Sequence, residues 1–583
     1  MSLGRLWRTV RHLGAEQLAF QFERRARRRL IRMFPKAAWR HMERRAAAWP
    51  MPDLDAAPLR AIAATVAAFH GETHDDLEAG RFMLMNRAFD FGAPDRIDWR
   101  DDFGDGGNPL CRMTLSYMGA VVPALANGGT LDATAAMLAS LERDNPWQLP
   151  GVLRDVWNPY AASHRLINLL AGLVLHRAAG GPAGTDAETA ILNHVRLCAA
   201  FIRANLERDL QFNHLMKNLV ALAVYGAGMQ RRPDSFTFLN NAVPRSINQC
   251  VLADGGHVER SPMYHKLALT DLRLLRQSGL FGETLDDAIT RMETALAAMC
   301  HADGDIALFN DSWLGEGPTA SALVDTASVG DVARLPDTGY VRLGRGGDVV
   351  LFDRGACGPD ATPAHAHADF LSIEASVAGK RFIVDPGVPT YTAGPERSFT
   401  RSAASHNGPI AEEIEPLELW GSFRVGRRAR AEAVEDPGLD GFAPLWCAGR
   451  LDTGLGVSMS RFVGLWPGSG LLTCDTWSDG LDAASASFLV AGDWHLAGGG
   501  SPIFSSDAAR VRVVSMAGDF EPVGSARCWP RFDVERPAHR IVVRPKSQGN
   551  KRHAALWWGW GETDEPPDPQ VLHSLVNRLL NQV

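Results

Sequence analysis

At 583 residues the chain exceeds the size at which one hydrophobic core keeps growing, so two or more domains are expected. Its composition, 46% hydrophobic and 22% charged, is that of an ordinary globular protein, and a formal net charge of −7 argues against a general nucleic-acid binder. Eight scattered cysteines without a CxxC pair fit neither a zinc ribbon nor a dense disulfide framework; reduced, buried thiols are expected, and they lean towards the cytosol.

The first segment, residues 1–50, opens with MSLGRLWRTVRHLGAEQLAFQFERRARRRLIRMF. It lacks an apolar core followed by a small-residue cleavage site, so no secretory signal is read there. No run reaches the roughly 18 apolar residues of a transmembrane helix. The expected location is the cytoplasm or the periphery of the inner membrane, with the periplasm open. Leu3, Leu6, Trp7, Val10 and Leu13 lie at helical spacing in a strongly basic surround. Such a helix either rests on an anionic membrane surface or packs on the protein with a solvated basic face, and the packed arrangement is preferred here.

Residues 51–325 carry a helical signal, with apolar residues at three- and four-residue steps over 55–69, 131–143, 161–177, 186–206 and 213–229. Gly180-Gly181-Pro182 and Arg232-Pro233-Asp234 punctuate them. Helix–turn–helix hairpins without a fixed repeat suggest a helical array or toroid. Near 315–337 the chain turns small and polar, and from 335 to 583 short runs rich in Val, Ile, Phe and Thr alternate with Gly, Asp and Pro. FLSIEASV and KRFIVD read as antiparallel strands joined through Ala378-Gly379, and the region as a β-sandwich. The expected fold is therefore multidomain α+β, an N-terminal (α/α) toroid followed by an antiparallel β-sandwich.

Four segments resemble the heparinase II/III family: NPLCRMTLSYM at 108–118, WNPYAASHRLINLL at 157–170, FNHLMKNLVAL at 212–222 continued by DGGHVERSPMYHK at 254–266, and HAHADFLSIEASVAGKRFIVDPGVPTY at 365–391 continued by ERSFTRSAASHN at 396–407. HxHxD followed by a strand, DPG and a downstream HN is fairly specific, and more so after N-H…E-x-S-x-x-Y in a helical domain. The resemblance implies a polysaccharide lyase that acts on a uronate-containing acidic polysaccharide, with its active site in the cleft between the domains. It implies that Asn213 and His214 neutralise the sugar carboxylate, that Tyr264 is base and acid, and that His365 assists from the sandwich. It also implies that His367, Asp385 and His406 bind a structural zinc, although a hydrogen-bonded cluster without metal is the other reading of these three.

These residue types suit the chemistry. β-Elimination removes a poorly acidic C5 proton, so donors that offset the carboxylate charge act as oxyanion-hole groups, worth about 2.7–4 kcal/mol each. Asn213 offers an uncharged amide, although an Asn before LMKNLVAL also reads as a helix N-cap. A phenol with an ordinary pKa near 10 needs nearby cations to act as a base, and His265, Lys266 and Arg260 flank Tyr264. Two imidazoles and a carboxylate suit zinc. His365 and His367 would share a face if their segment is a strand. Trp157, Tyr160 and Arg165 are expected in the sugar groove, with Arg397 and Arg401 weaker candidates for the same task, and Glu259 is expected to orient Tyr264 or His214; each is equally a packing residue. Two rival readings are a glycoside hydrolase using Glu259 with Asp254 or Asp311, and a non-catalytic glycan-binding or assembly factor. An acidic bacterial exopolysaccharide or alginate is preferred to heparin as substrate, because dense Lys/Arg clusters are missing around the expected site.

Overall fold

The computed structural model describes residues 3–71, 75–434, 444–478, 481, 483–497, 501–548 and 551–561. The chain divides into two compact units: Leu13–Cys250 with Leu267–Thr290, and Met1–His12 with Val251–Lys266 and Arg291–Val583. The fold is the expected (α/α) toroid with an antiparallel β-sandwich. The final stretch of the 335–583 reading, residues 562–583, lies outside the described residues.

The helical unit is built on the helix Pro159–Ala178, against which the helices Ala57–His70, Val121–Ala126, Asp186–Ala204 and Phe212–Ala227 pack. Its start follows from local chemistry: the Asn158 side chain accepts the Tyr160 N–H, and Pro159 takes the first helical position, where no N–H is needed. Its interior is buried on every side, with Ala161, Leu166, Ile167, Leu169, Ala171 and Val174 all shielded from solvent, which is the pattern of a central helix.

In the β-rich unit one sheet runs from Val332–Leu335 through Tyr340–Arg345, Asp348–Asp353, Ile373–Val377, Lys380–Ile383 and Ala484–Ala491 to Val534–Arg544. A second is centred on Ser458–Trp466, Gly470–Trp477 and Lys551–Gly559. All named strand pairs are antiparallel, and one apolar core joins the sheets through Phe352, Ile373, Phe382, Val463, Phe488, Leu556 and Trp558. The hairpin read at Ala378-Gly379 is present: both residues have positive φ (49° and 89°), as a two-residue turn between twisted strands requires.

Some placements differ from the sequence reading. The opening basic segment is two helices, Leu3–Val10 and Ala15–Met33, and the first is tied to the β-rich unit by the Arg8 guanidinium, which grips both oxygens of Glu418. Residues 251–266 belong with the β-rich unit because the Asp254 carboxylate accepts the N–H groups of Asp337 and Thr338. The eight cysteines are all buried and free. Among the described residues no helix is long and apolar enough to cross a membrane.

Candidate catalytic clusters

The expected site residues fall into two groups, one in each unit. In the β-rich unit the organising element is the turn Asn310-Asp311-Ser312 zipped to the loop 365–369. His365 O accepts the Asp311 N–H (3.0 Å), Asn310 Oδ1 accepts the His367 N–H (3.0 Å), and Asp369 accepts the Asn310 N–H (2.6 Å). Asn310 sits at φ 57°, a left-handed conformation that Asn tolerates better than most residues. The HxHxD segment is thus a loop rather than a strand, with Leu371 also at positive φ (59°), and the strand begins only at Ile373. His365 and His367 nevertheless converge, because both find the same carboxylate.

That carboxylate is Asp311. It is fully buried and accepts His365 Nδ1 (3.0 Å), His367 Nε2 (2.9 Å) and both terminal nitrogens of Arg397, the second at 2.8 Å. Burial opposes its charge, but Arg397 and the two imidazole donors hold it well below the usual carboxylate range. Engaging Nδ1 of His365 leaves Nε2 directed elsewhere, 4.0 Å from the Glu259 carboxylate. Tyr264 packs against this imidazole, ring centroids 3.9 Å apart and planes tilted by 31°, and its hydroxyl is 3.4 Å from that of Tyr391. Ser261 fixes the start of the helix Pro262–Gln277: its hydroxyl accepts the Tyr264 N–H and donates to Asp311 O. Burial, then Tyr391, Asp311 and Glu259, raise the Tyr264 phenol well above its ordinary value.

The cations next to Tyr264 in sequence turn away from it. His265 donates to Met292 O (2.8 Å) and accepts the His257 N–H (3.1 Å), and burial lowers its pKa to about 4. Lys266 donates to Pro318 O, and Arg260 to Thr338 O and Asp337 O. The cation that does reach the tyrosine pair is Arg397, whose guanidinium lies 4.8 Å from the Tyr391 ring. Arg397 and Arg401, candidates for the sugar groove, are both buried; Arg397 serves Asp311 and Ser422 O, and Arg401 serves Ala366 O and Ser422 O. Sequence reasoning missed Tyr391 and Asn310, and gave Asp311 only a hydrolase role.

The expected metal ligands meet close by. Asp385 accepts His406 Nδ1 (2.7 Å), and the rings of His406 and His367 are 5.4 Å apart. The other nitrogens of these rings, His367 Nδ1 and His406 Nε2, are buried without a hydrogen-bond partner. Two orphaned imidazole nitrogens beside a carboxylate fit zinc in kind, with Asp385 orienting one imidazole in the manner of an outer-shell partner. Among the described residues no group of three or more His, Cys, Asp or Glu is arranged to hold a metal.

In the helical unit Asn213 and His214 open the helix Phe212–Ala227. Asn213 is not its cap: Gln211 holds that position at φ 60°, followed by Phe212 at φ 39°, so two non-glycine residues in strained conformations lead into the pair. His214 Nδ1 lies 3.3 Å from the buried Glu207 carboxylate and its ring 4.6 Å from that of Tyr160. Burial opposes the charge on Glu207, but His214, Arg24 and an Asn218 N–H hold it below its ordinary range. Asn218 also donates to Ser163, which locks the floor of this cluster. Tyr160 is half-buried, so one edge is available to a ligand. Trp157 and Arg165 are fully buried: Trp157 packs among Trp39, Trp147 and Phe201, and Arg165 donates to Ser116 O, Val156 O and His194.

Residues 327–553 match the family model described as heparinase II/III-like, C-terminal. The β-rich part of the chain is thus similar to the C-terminal domain of heparinase II/III-like proteins. Solved structures extend the likeness to the fold of nearly the whole chain. A heparinase III structure has a TM-score of 0.64 at 14% identity, covering 92% of each chain. A heparan sulfate lyase mutant from Pedobacter heparinus has a TM-score of 0.57 at 15% identity, covering 91% of this chain and 89% of its own. No curated protein matches in sequence.

Proposed function

We propose that this protein is a polysaccharide lyase of the heparinase II/III type that cleaves a uronate-containing acidic polysaccharide by β-elimination. The observation that carries the reading is Tyr264 packed against His365, a histidine whose Nδ1 is held by Asp311, a tyrosine–histidine–aspartate arrangement. In the reaction a base takes the C5 proton, the freed electron pair forms the C4–C5 double bond, and the C4–O4 bond breaks with a proton delivered to O4. Tyr264 is base and acid, His365 assists at the carboxylate or as a second base, and Asn213 and His214 offset the carboxylate charge. Glu207 supports that task by keeping a proton on His214 Nδ1. The hydrolase reading loses support: Asp311 is locked in an ion pair, and Asp254 spends its oxygens on Gly256, Asp337 and Thr338.

The substrate class favoured is an acidic bacterial exopolysaccharide or alginate. The test is absorbance near 230 nm during incubation with a panel of uronate polysaccharides. A rise is expected for one glycan class, from the unsaturated uronate that only elimination makes. New reducing ends without that absorbance would replace this reading with hydrolysis.

Zinc, when bound, would be held by His367 and His406 with Asp385, pinning the loop that presents His365; it would supply a crosslink rather than an activated water. His406→Ala is expected to abolish stoichiometric zinc in metal analysis and to remove the rise in thermal midpoint that added zinc gives the wild type. Equal zinc content in variant and wild type would sink the assignment.

A further inference from the structure

The helix Ala15–Met33 carries an unpartnered outward face, and it is not the face that helix packing explains. Its inner side holds Gln17, whose amide donates to Asp209 O, Arg24, paired with the Asp209 carboxylate, and the buried Ile31. On the opposite side Leu18, Phe22, Arg25, Arg29 and Met33 follow one another at three- and four-residue steps, a single stripe of a 3.6-residue helix. Phe22 is 75% exposed and Met33 65%, with Leu30 and Phe34 also exposed beside them. Water-facing helices place polar residues there, and several large apolar side chains exposed together on one surface mark a contact. Arg25, Arg29 and Arg32 make no hydrogen bond or ion pair with any described residue.

The charge around the stripe identifies the occupant. From Arg24 to Met42 the sequence has seven arginines, one lysine and no acid, although the chain as a whole has a formal charge of −7. A second copy of an acidic chain would supply general attraction but no bed for three large apolar side chains among arginines. A bilayer with anionic headgroups supplies both at once: acyl-chain depth for Phe22 and Met33 and phosphates for the intervening guanidinium groups. We infer that the outward face of the helix Ala15–Met33 docks the protein on an anionic lipid surface, lying in the headgroup plane. This replaces the first helix, Leu3–Val10, as the membrane-facing element: that helix is held through Arg8 on Glu418 and Thr9 on Trp420.

The full chain is sedimented with vesicles of phosphatidylcholine containing 30% phosphatidylglycerol, and with phosphatidylcholine alone. Binding to the anionic vesicles is expected at least tenfold tighter, and weakened by salt. Phe22→Asp combined with Met33→Asp, and separately Arg25→Glu with Arg29→Glu, are each expected to lose at least tenfold in partitioning with an unchanged thermal midpoint, because the replaced side chains are exposed. The inference is overturned if the wild type ignores both vesicles, if either double variant binds as well as wild type, or if Phe22 proves to drive self-association instead.

Discussion

Asp311→Asn is expected to lower stability by about 3–5 kcal/mol and turnover by at least a hundredfold. Among the described residues the carboxylate is the only anion that Arg397, His365 and His367 share directly, and all four groups are buried. Removing one partner from a buried ion pair leaves the other charge uncompensated, and such losses run to about 3–5 kcal/mol. An asparagine also turns one acceptor oxygen into a donor, which then faces a guanidinium or an imidazole N–H. His365 would lose the bond that sets its tautomer and ring direction beneath Tyr264, so rate should fall even where the fold survives. Urea denaturation measures the first effect and the 230 nm assay the second. A stability loss below about 1 kcal/mol would mean that the Arg397–Asp311 pair is not formed as described. Asp311 sits well below its ordinary pKa in the folded protein, so its stabilisation is present above the unfolded value near 3.9 and is lost as pH falls through the folded one. Wild-type acid unfolding should therefore show a component that Asp311→Asn lacks.

The helices were legible because burying one side of a helix leaves a 3.6-residue period, and the five periodic stretches correspond to Ala57–His70, Leu131–Asp144, Pro159–Ala178, Asp186–Ala204 and Phe212–Ala227. The hairpin at Ala378-Gly379 was legible because strand alternation and turn residues agreed. The loop conformation of the HxHxD segment was not legible, because its shape comes from Asn310, 57 residues away from His367. Asp311 had no local signature at all: its partners lie 54, 56 and 86 residues further on, and only the folded chain brings them to one carboxylate. Asn213 looked like a cap because propensity cannot register that Gln211 and Phe212 adopt positive φ just before it. The cations beside Tyr264 misled for a simpler reason. Successive helical residues point about 100° apart, so His265 and Lys266 leave the helix on faces other than that of Tyr264.

Tyr264→Phe is expected to reduce elimination by about 10²–10⁴-fold, the range for loss of a positioned acid–base group, while leaving the fold and glycan affinity close to wild type. The ring keeps its packing against His365; only the hydroxyl, 3.4 Å from Tyr391, is lost. What that hydroxyl does first is decided by pH. Burial and the nearby Tyr391, Asp311 and Glu259 raise its pKa well above 10, so the resting phenol is protonated at neutral pH. If phenolate must take the C5 proton in the free enzyme, kcat/KM rises about tenfold per pH unit across the neutral and mildly alkaline range, because the active fraction grows with each unit below the pKa. If Tyr264 acts first as the acid for O4, with His365 as base, that alkaline rise is absent, and Tyr264→Phe loses most on substrates with poor leaving groups. Tyr391→Phe separates the two further. It removes the hydroxyl that lies 3.4 Å from the phenol, so it should slow a proton relay through Tyr264 yet leave a direct transfer from Tyr264 to O4 nearly intact. Wild-type turnover in Tyr264→Phe would end the role of this phenol in either form and move the chemistry to His365 with Asp311 behind it.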